Sequence, residues 1–309
     1  LLAAAPFAAT MFGTQRAPAA QAQEPTTLRI GVIPIDPCTE IFSAIELGSF
    51  KKAGLDIQLT RLTSGSAIAA AVAGGALDMG LCDLVAASAG RAHGLPFVYV
   101  SAGAVYTPQA PGHALMAKTT SAVHGPKDFA GKTIAVSSLH SIDEVTIQAW
   151  IDKGGGDWKS VKWVEMPDPT MAAALDSDSV DAIVIKEPAW TLTNGRFRSF
   201  DQGDAGIADR FLISGYLATQ PWAGAHADVA RTFATIVRDT GRWANSNHAA
   251  SAAFLAKYSS ISPDLLTRME RSHFGDRLTP ALLQPLIDAG VKYGAIPNRI
   301  PAAEIIFSA

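Results

Sequence analysis

The residues of this chain best placed to do chemistry are the polar ones that sit where an apolar run stops. Asp36, Pro37, Cys38 and Thr39 follow the run that ends at residue 33. Ser64, Gly65 and Ser66 follow the next run, and Asp83 the one after it. Farther along come Ser137, Ser138, His140 and Ser141, and then Glu187 with Trp190 a turn later. These types suit binding more than bond-breaking. Hydroxyls and carboxylates exchange hydrogen bonds, an indole walls a pocket, and free N–H groups at a helix start attract an anion or a polar ligand head. Each has a plainer alternative, and both readings stand at this point. Ser64, Ser66 and Asp83 serve equally as helix N-caps. Glu187 before Pro188 favours a helix dipole, Trp190 suits a core, and a lone histidine such as His140 suits a surface or a cap. Tyr106 and Gln109, in the Pro- and Gly-containing stretch 106–112, are further candidate contacts.

Covalent chemistry finds little support. The chain has no G-x-S-x-G, no nucleotide-binding glycine loop and no H-E-x-x-H. Gly154-Gly155-Gly156 precedes Asp157-Trp158 and reads as a turn after a helix. Asp143-Glu144 reads as a solvated pair at a helix start. No His or Cys pair has the spacing of metal ligands, so neither a metal nor a cofactor is expected. Asp36, Asp83 and Glu187 give the candidate site an acidic balance. Lys186 is the one obvious base, and strand alternation would turn it away from Glu187. Three carboxylates match a desolvated anion poorly. The expected ligand is therefore neutral, zwitterionic or rich in hydrogen-bond donors.

The elements that must position these residues alternate. Strands are predicted at 28–33, 56–60, 79–82 and 97–102, with Ala-rich helical stretches between them. This makes consecutive βαβ units, and in an open parallel sheet ligands bind at the carboxyl ends of the strands. After the loop 106–112 a second block follows, with strands at 114–117, 133–136, 161–165 and 182–185 and helices near 142–153 and 170–175. A turn at 203–206 leads to a last strand at 211–219 and then to helices only. Cys38 and Cys82 end neighbouring strands. They are read as two buried thiols lining the cleft, with a disulfide the alternative if their Cα atoms come within about 7 Å.

Several segments carry a family resemblance: Leu28-Arg29-Ile30-Gly31, Lys52-Ala53-Gly54-Leu55-Asp56-Ile57, Gly75-Ala76-Leu77-Asp78-Met79-Gly80 and Gly94-Leu95-Pro96. The series continues through residues 127–136, Val180-Asp181-Ala182 and Lys186-Glu187-Pro188. In this order the segments resemble the substrate-binding proteins of ABC importers of the nitrate, sulfonate and taurine type, a group that includes thiamine-pyrimidine-precursor proteins. The resemblance implies an α/β, two-lobed periplasmic-binding-protein type II fold, each lobe a doubly wound, mostly parallel sheet flanked by helices. One lobe would comprise residues 23–103 and 208–309, the other 104–207. The ligand would lie in the cleft, touched by the 137–141 segment and by Glu187. The implied protein is a non-enzymatic, monomeric receptor that serves a permease in the inner membrane. Taurine, alkanesulfonates, nitrate, aromatic acids and aminopyrimidines are all open as ligands. Two alternatives share the fold. One is a thiamine-pyrimidine synthase, which uses a His and a Lys-held vitamin B6 phosphate together with a Cys-rich segment that has no counterpart here. The other is a periplasmic sensory domain.

Composition sets outer bounds. Residues 1–22 are apolar and end in Ala20-Gln21-Ala22, an A-x-A pattern that predicts a cleaved secretory signal and a periplasmic product. No later apolar run reaches the roughly 18 residues needed to span a bilayer. The net charge is −3 with both signs interspersed, so nucleic acid is a poor partner.

Overall fold

Alternation of apolar residues builds two sheets. In the computed structural model, which describes residues 24–193, 195–200 and 206–308, the chain forms β1 (Thr26–Val32), β2 (Leu55–Arg61), β3 (Met79–Asp83), β4 (Phe97–Ala102) and β5 (Ala104–Tyr106). It continues with β6 (His113–Lys118), β7 (Thr133–Val136), β8 (Lys162–Glu165), β9 (Ala182–Lys186) and β10 (Phe197–Phe200). The last are β11 (Phe211–Leu212), β12 (Ser214–Thr219) and β13 (His273–Phe274). The expected signal at 1–22, and all but the last residue of the turn at 203–206, lie outside the described residues.

The first sheet has the order β2-β1-β3-β12-β4 and the second β10-β6-β9-β7-β8. β1 runs parallel to β2 and β3, and β7 parallel to β8 and β9. Each sheet also takes one reversed strand, second from an edge. β12 is antiparallel to β3 and β4, and β6 to β9 and β10. The sheets are therefore mixed, although most of their strands point one way. Helices cover both faces. Along β9, Ala182 and Val184 enter one core with Ile147 and Ile151, while Ile183 and Ile185 enter another with Met171 and Leu175. This period of two is what a strand buried on both faces requires.

Close packing on the first sheet needs two glycines. Gly31 and Gly80 are register partners on β1 and β3. A Cβ at Gly80 would stand 2.3 Å from Ile68 Cγ2, and one at Gly31 would stand 2.7 Å from Leu77 Cδ1. Their missing side chains let the helix Gly65–Ala73 settle directly on the strands.

The two connections between the sheets pair with each other. β5 and β11 are antiparallel, and the Tyr106 and Phe211 rings stack at 4.8 Å. β13 adds to β5 as a third strand. The expectation of helices only after residue 219 is thus corrected; two residues are too few for periodicity to reveal. Tyr106 is buried in this packing rather than facing a ligand. The sheets also share a core. Ile142, Val145 and Ala149 of the helix Ile142–Lys153 cluster with Leu282, Leu283 and Leu286 of the helix Pro280–Lys292. No described helix is long and apolar enough to cross a membrane.

Candidate functional site

The carboxyl ends of β1, β3, β7 and β9 converge on a cavity of about 350 Å³ between the two sheets. Ile33, Ile35, Leu81, Val105 and Ile213 give it an apolar wall. Asp36, Pro37, Ser64, Gly65, Ser66, Asp83, Ser137, Ser138, His140, Ser141, Glu187 and Trp190 all line it. Twelve of the fourteen residues anticipated from sequence are thus brought to one place.

Cys38 and Thr39 are not. Both are fully buried behind Asp36, where the Thr39 hydroxyl donates to Asp36 Oδ1 at 3.1 Å. The two thiols are buried as expected, but their expected place in the cleft is corrected. Neither thiol lines the cavity, and the two are free. Cys38 belongs to the core with Phe42 and Phe233, and Cys82 to the core with Ile68 and Leu84. Gln109 is exposed outside the cavity.

Several lining residues also hold the backbone. Ser64 Oγ accepts from the Ala67 N–H at 3.2 Å and Asp83 Oδ1 from the Ala86 N–H at 2.9 Å, so each caps a helix. Ser64 Oγ and Ser66 Oγ lie 3.0 Å apart. A Cβ at Gly65 would crowd Asp83 Oδ2 at 3.2 Å, so the carboxylate would have to give way. Two N–H groups of the 137–141 loop are already taken, while Ser141 places no side-chain cap on the helix that follows. The Leu139 N–H donates to Glu165 Oε2 at 3.0 Å, and the His140 N–H to Glu144 Oε2 at 2.7 Å. Trp190 faces the cavity and also packs against the core under β9.

The electrostatics hold most of what sequence missed. Lys186 faces the cavity along with Glu187, because β9 ends at Lys186 and alternation stops there. Its ammonium donates to Ser137 Oγ at 2.9 Å and pairs with Asp143. Asp143 and Glu144, expected to be solvated, are buried at 1% and 6% exposure. Burial works to raise the Asp143 carboxyl, but Lys186, and then His113, outweigh it and hold the group below the usual aspartate range. Burial likewise opposes the Lys186 charge, and Asp143 followed by Asp168 reverses the effect, so the ammonium sits above its ordinary value. Asp83 and Asp168 are pushed up, first by burial and also by the Asp143 charge.

Arg271 closes another side. Its Nε donates to Asp36 Oδ1 at 2.7 Å, and the neighbouring Ser272 N–H bonds the other oxygen. Glu187 Oε1 accepts from the Thr191 hydroxyl at 2.8 Å and from the Glu270 N–H at 3.1 Å, a contact between segments far apart in sequence. Burial, and then the Glu187 charge, raise the Glu270 carboxyl. Asp168 was legible in principle, since it opens a helix directly after a predicted strand. Arg271, 235 residues from its partner Asp36, gave no signal.

The chain resembles proteins of known structure. The aliphatic sulphonate-binding protein SsuA of Escherichia coli superposes with a TM-score of 0.75 at 18% identity, covering 92% of each chain. The alkanesulfonate-binding SsuA of Xanthomonas axonopodis, bound to MOPS, gives 0.75 at 21% identity over 93% of this chain and all of that one. The nitrate-binding NrtA of Synechocystis gives 0.73 at 13% identity over 91% and 85%. They share the periplasmic-binding fold described here. No curated protein sequence matches the chain. Residues 37–249 match the profile of the NMT1/THI5 like family, and the chain is a member of that family.

Proposed function

We propose that this chain is the solute-binding receptor of an ABC importer. It captures a small organic molecule between two lobes, residues 23–103 with 208–309 and residues 104–207, and presents it to a membrane permease. It acts in the periplasm as a monomer and performs no chemistry. The observation that carries this reading is the cavity itself. It is small enough for one metabolite, apolar on one wall, and supplied with polar groups by both sheets, as ligand sites between lobes are. The hydrogen bond from the Glu270 N–H to Glu187 supports closure around a ligand, a motion known for such folds. The sulfonate- and nitrate-binding relatives support a small polar ligand; sulfonate-like molecules, aromatic acids and pyrimidines are the classes to examine.

Thermal unfolding of the purified chain against that panel tests the reading. A ligand at about 100-fold its dissociation constant adds about 2.7 kcal/mol, a rise of roughly 2–4 °C or more. Replacing Glu187 with Gln should weaken the responder's binding, and unchanged affinity removes that carboxylate from the site. Silence across the panel, with no small molecule found by mass analysis of the purified protein, defeats the receptor reading.

A further inference from the structure

Six carboxylates line the cavity: Asp36, Asp83, Asp143, Asp168, Glu187 and Glu270. Lys186 and Arg271 are its permanent cations, and each is already paired, with Asp143 and Asp36 respectively. Asp83 and Asp168 form no ion pair among the described residues, and share the field of Lys186 with Asp143. Asp168 Oδ1 is buried and has no hydrogen-bond partner among the described residues. Asp143 Oδ1 has none either, with His113 Nδ1 at 3.5 Å. Ser214, in register beside Asp83 and 5% exposed, also lines the cavity, and its hydroxyl has no partner among the described residues. An unpaired buried oxygen is costly, and more so if charged, so this set suits a bound group that brings donors.

A second observation points the same way. The backbone N–H groups of Leu139 and His140, two of those at this helix start that could grip an oxyanion, are occupied by Glu165 and Glu144. Among the described residues no group of three or more His, Cys, Asp or Glu side chains is arranged to hold a metal ion. A ligand bearing N–H donors suits this lining.

Resting on the receptor reading, we propose that Asp83, Ser214 and Asp168, which all line the cavity, bind a nitrogen cation of the ligand, a protonated amine or amidinium with at least two N–H donors. The apolar wall of Ile33, Leu81, Val105 and Ile213 takes the hydrocarbon part. Asp168 and Asp83 are the residues that set this specificity. Both carboxyls are held up by burial and by Asp143, and a bound cation relieves that repulsion.

The test is calorimetric titration with four ring compounds of similar size: benzylamine, benzamidine, benzamide and benzenesulfonate, each at millimolar concentration. The two cations should bind about tenfold or more tightly than the amide and the sulfonate, the scale of one charge-assisted hydrogen bond. Asp168→Asn should erase that preference, weakening the two cations far more than the amide and the sulfonate. If Asp168→Asn does not fold, Asp83→Asn serves, because Asn keeps the helix cap; it should narrow the same preference. Binding of benzenesulfonate but not of the cations overturns this inference and leaves the receptor reading intact. Retention of the cation preference in both variants also overturns it. Silence for all four overturns it as well, and the receptor reading falls with it only if the wider panel and the mass analysis are silent too.

Discussion

Glu40 shows how much one side chain can set. It is wholly buried, and neither carboxyl oxygen meets a partner in full hydrogen-bond geometry among the described residues, with the Tyr216 hydroxyl the polar group beside it. Burial raises its pKa well above the ordinary value of 4.5. The folded chain therefore holds this proton more tightly than the unfolded one. Its stabilising effect is complete below the ordinary value and is lost as pH climbs toward the native one, by about 1.4 kcal/mol for each pH unit in that window. Glu40→Gln should flatten this fall and melt higher than wild type at neutral and alkaline pH. Parallel melting curves across that range would remove Glu40 as the cause. Nothing in the sequence marked Glu40, because a glutamate early in a helix looks solvated. Asp143 and Glu144 misled in the same way. Types at strand ends were legible, since the chain must place polar residues there. Pairings such as Asp36 with Arg271 were not, because they depend on where a distant segment returns.

At the scale of elements, close approach dominates. The helix Gly65–Ala73 lies on β1 and β3 only because Gly31 and Gly80 leave room for Ile68 and Leu77. Gly80→Ala should cost about 1–3 kcal/mol through overpacking, read from denaturant melts. Trimming Ile68 to Ala in the same chain should yield a coupling term that recovers part of the loss, although the new methyl would still stand 3.0 Å from Gly31 O. Simple additivity would show that the helix is free to shift away. Strands and caps were readable from apolar runs and from Ser64 and Asp83 at their ends. The reversal of β6 and β12 was not, since periodicity carries no direction. β13 was too short to leave a pattern.

At the scale of the molecule, the two sheets are linked by more than the paired connections β5 and β11. The helix Ile142–Lys153 packs with the helix Pro280–Lys292 in a core that also covers the first sheet. Asp152 pairs with Lys292 at 2.6 Å and accepts from the Tyr293 hydroxyl at 2.9 Å. The chain should therefore unfold in one cooperative transition, with calorimetric and van't Hoff enthalpies equal; two separable transitions would mean that this shared core is weak. Cys38 and Cys82 make the same question answerable chemically. Each thiol is sealed in a different core on the first sheet, and Cys82 lies in the one that the second sheet's helix enters. A thiol reagent thus reads two compartments of one molecule, with no label engineered in. Equal modification rates would mean the compartments open together, and earlier loss of Cys82 would locate the first breach at the junction of the sheets.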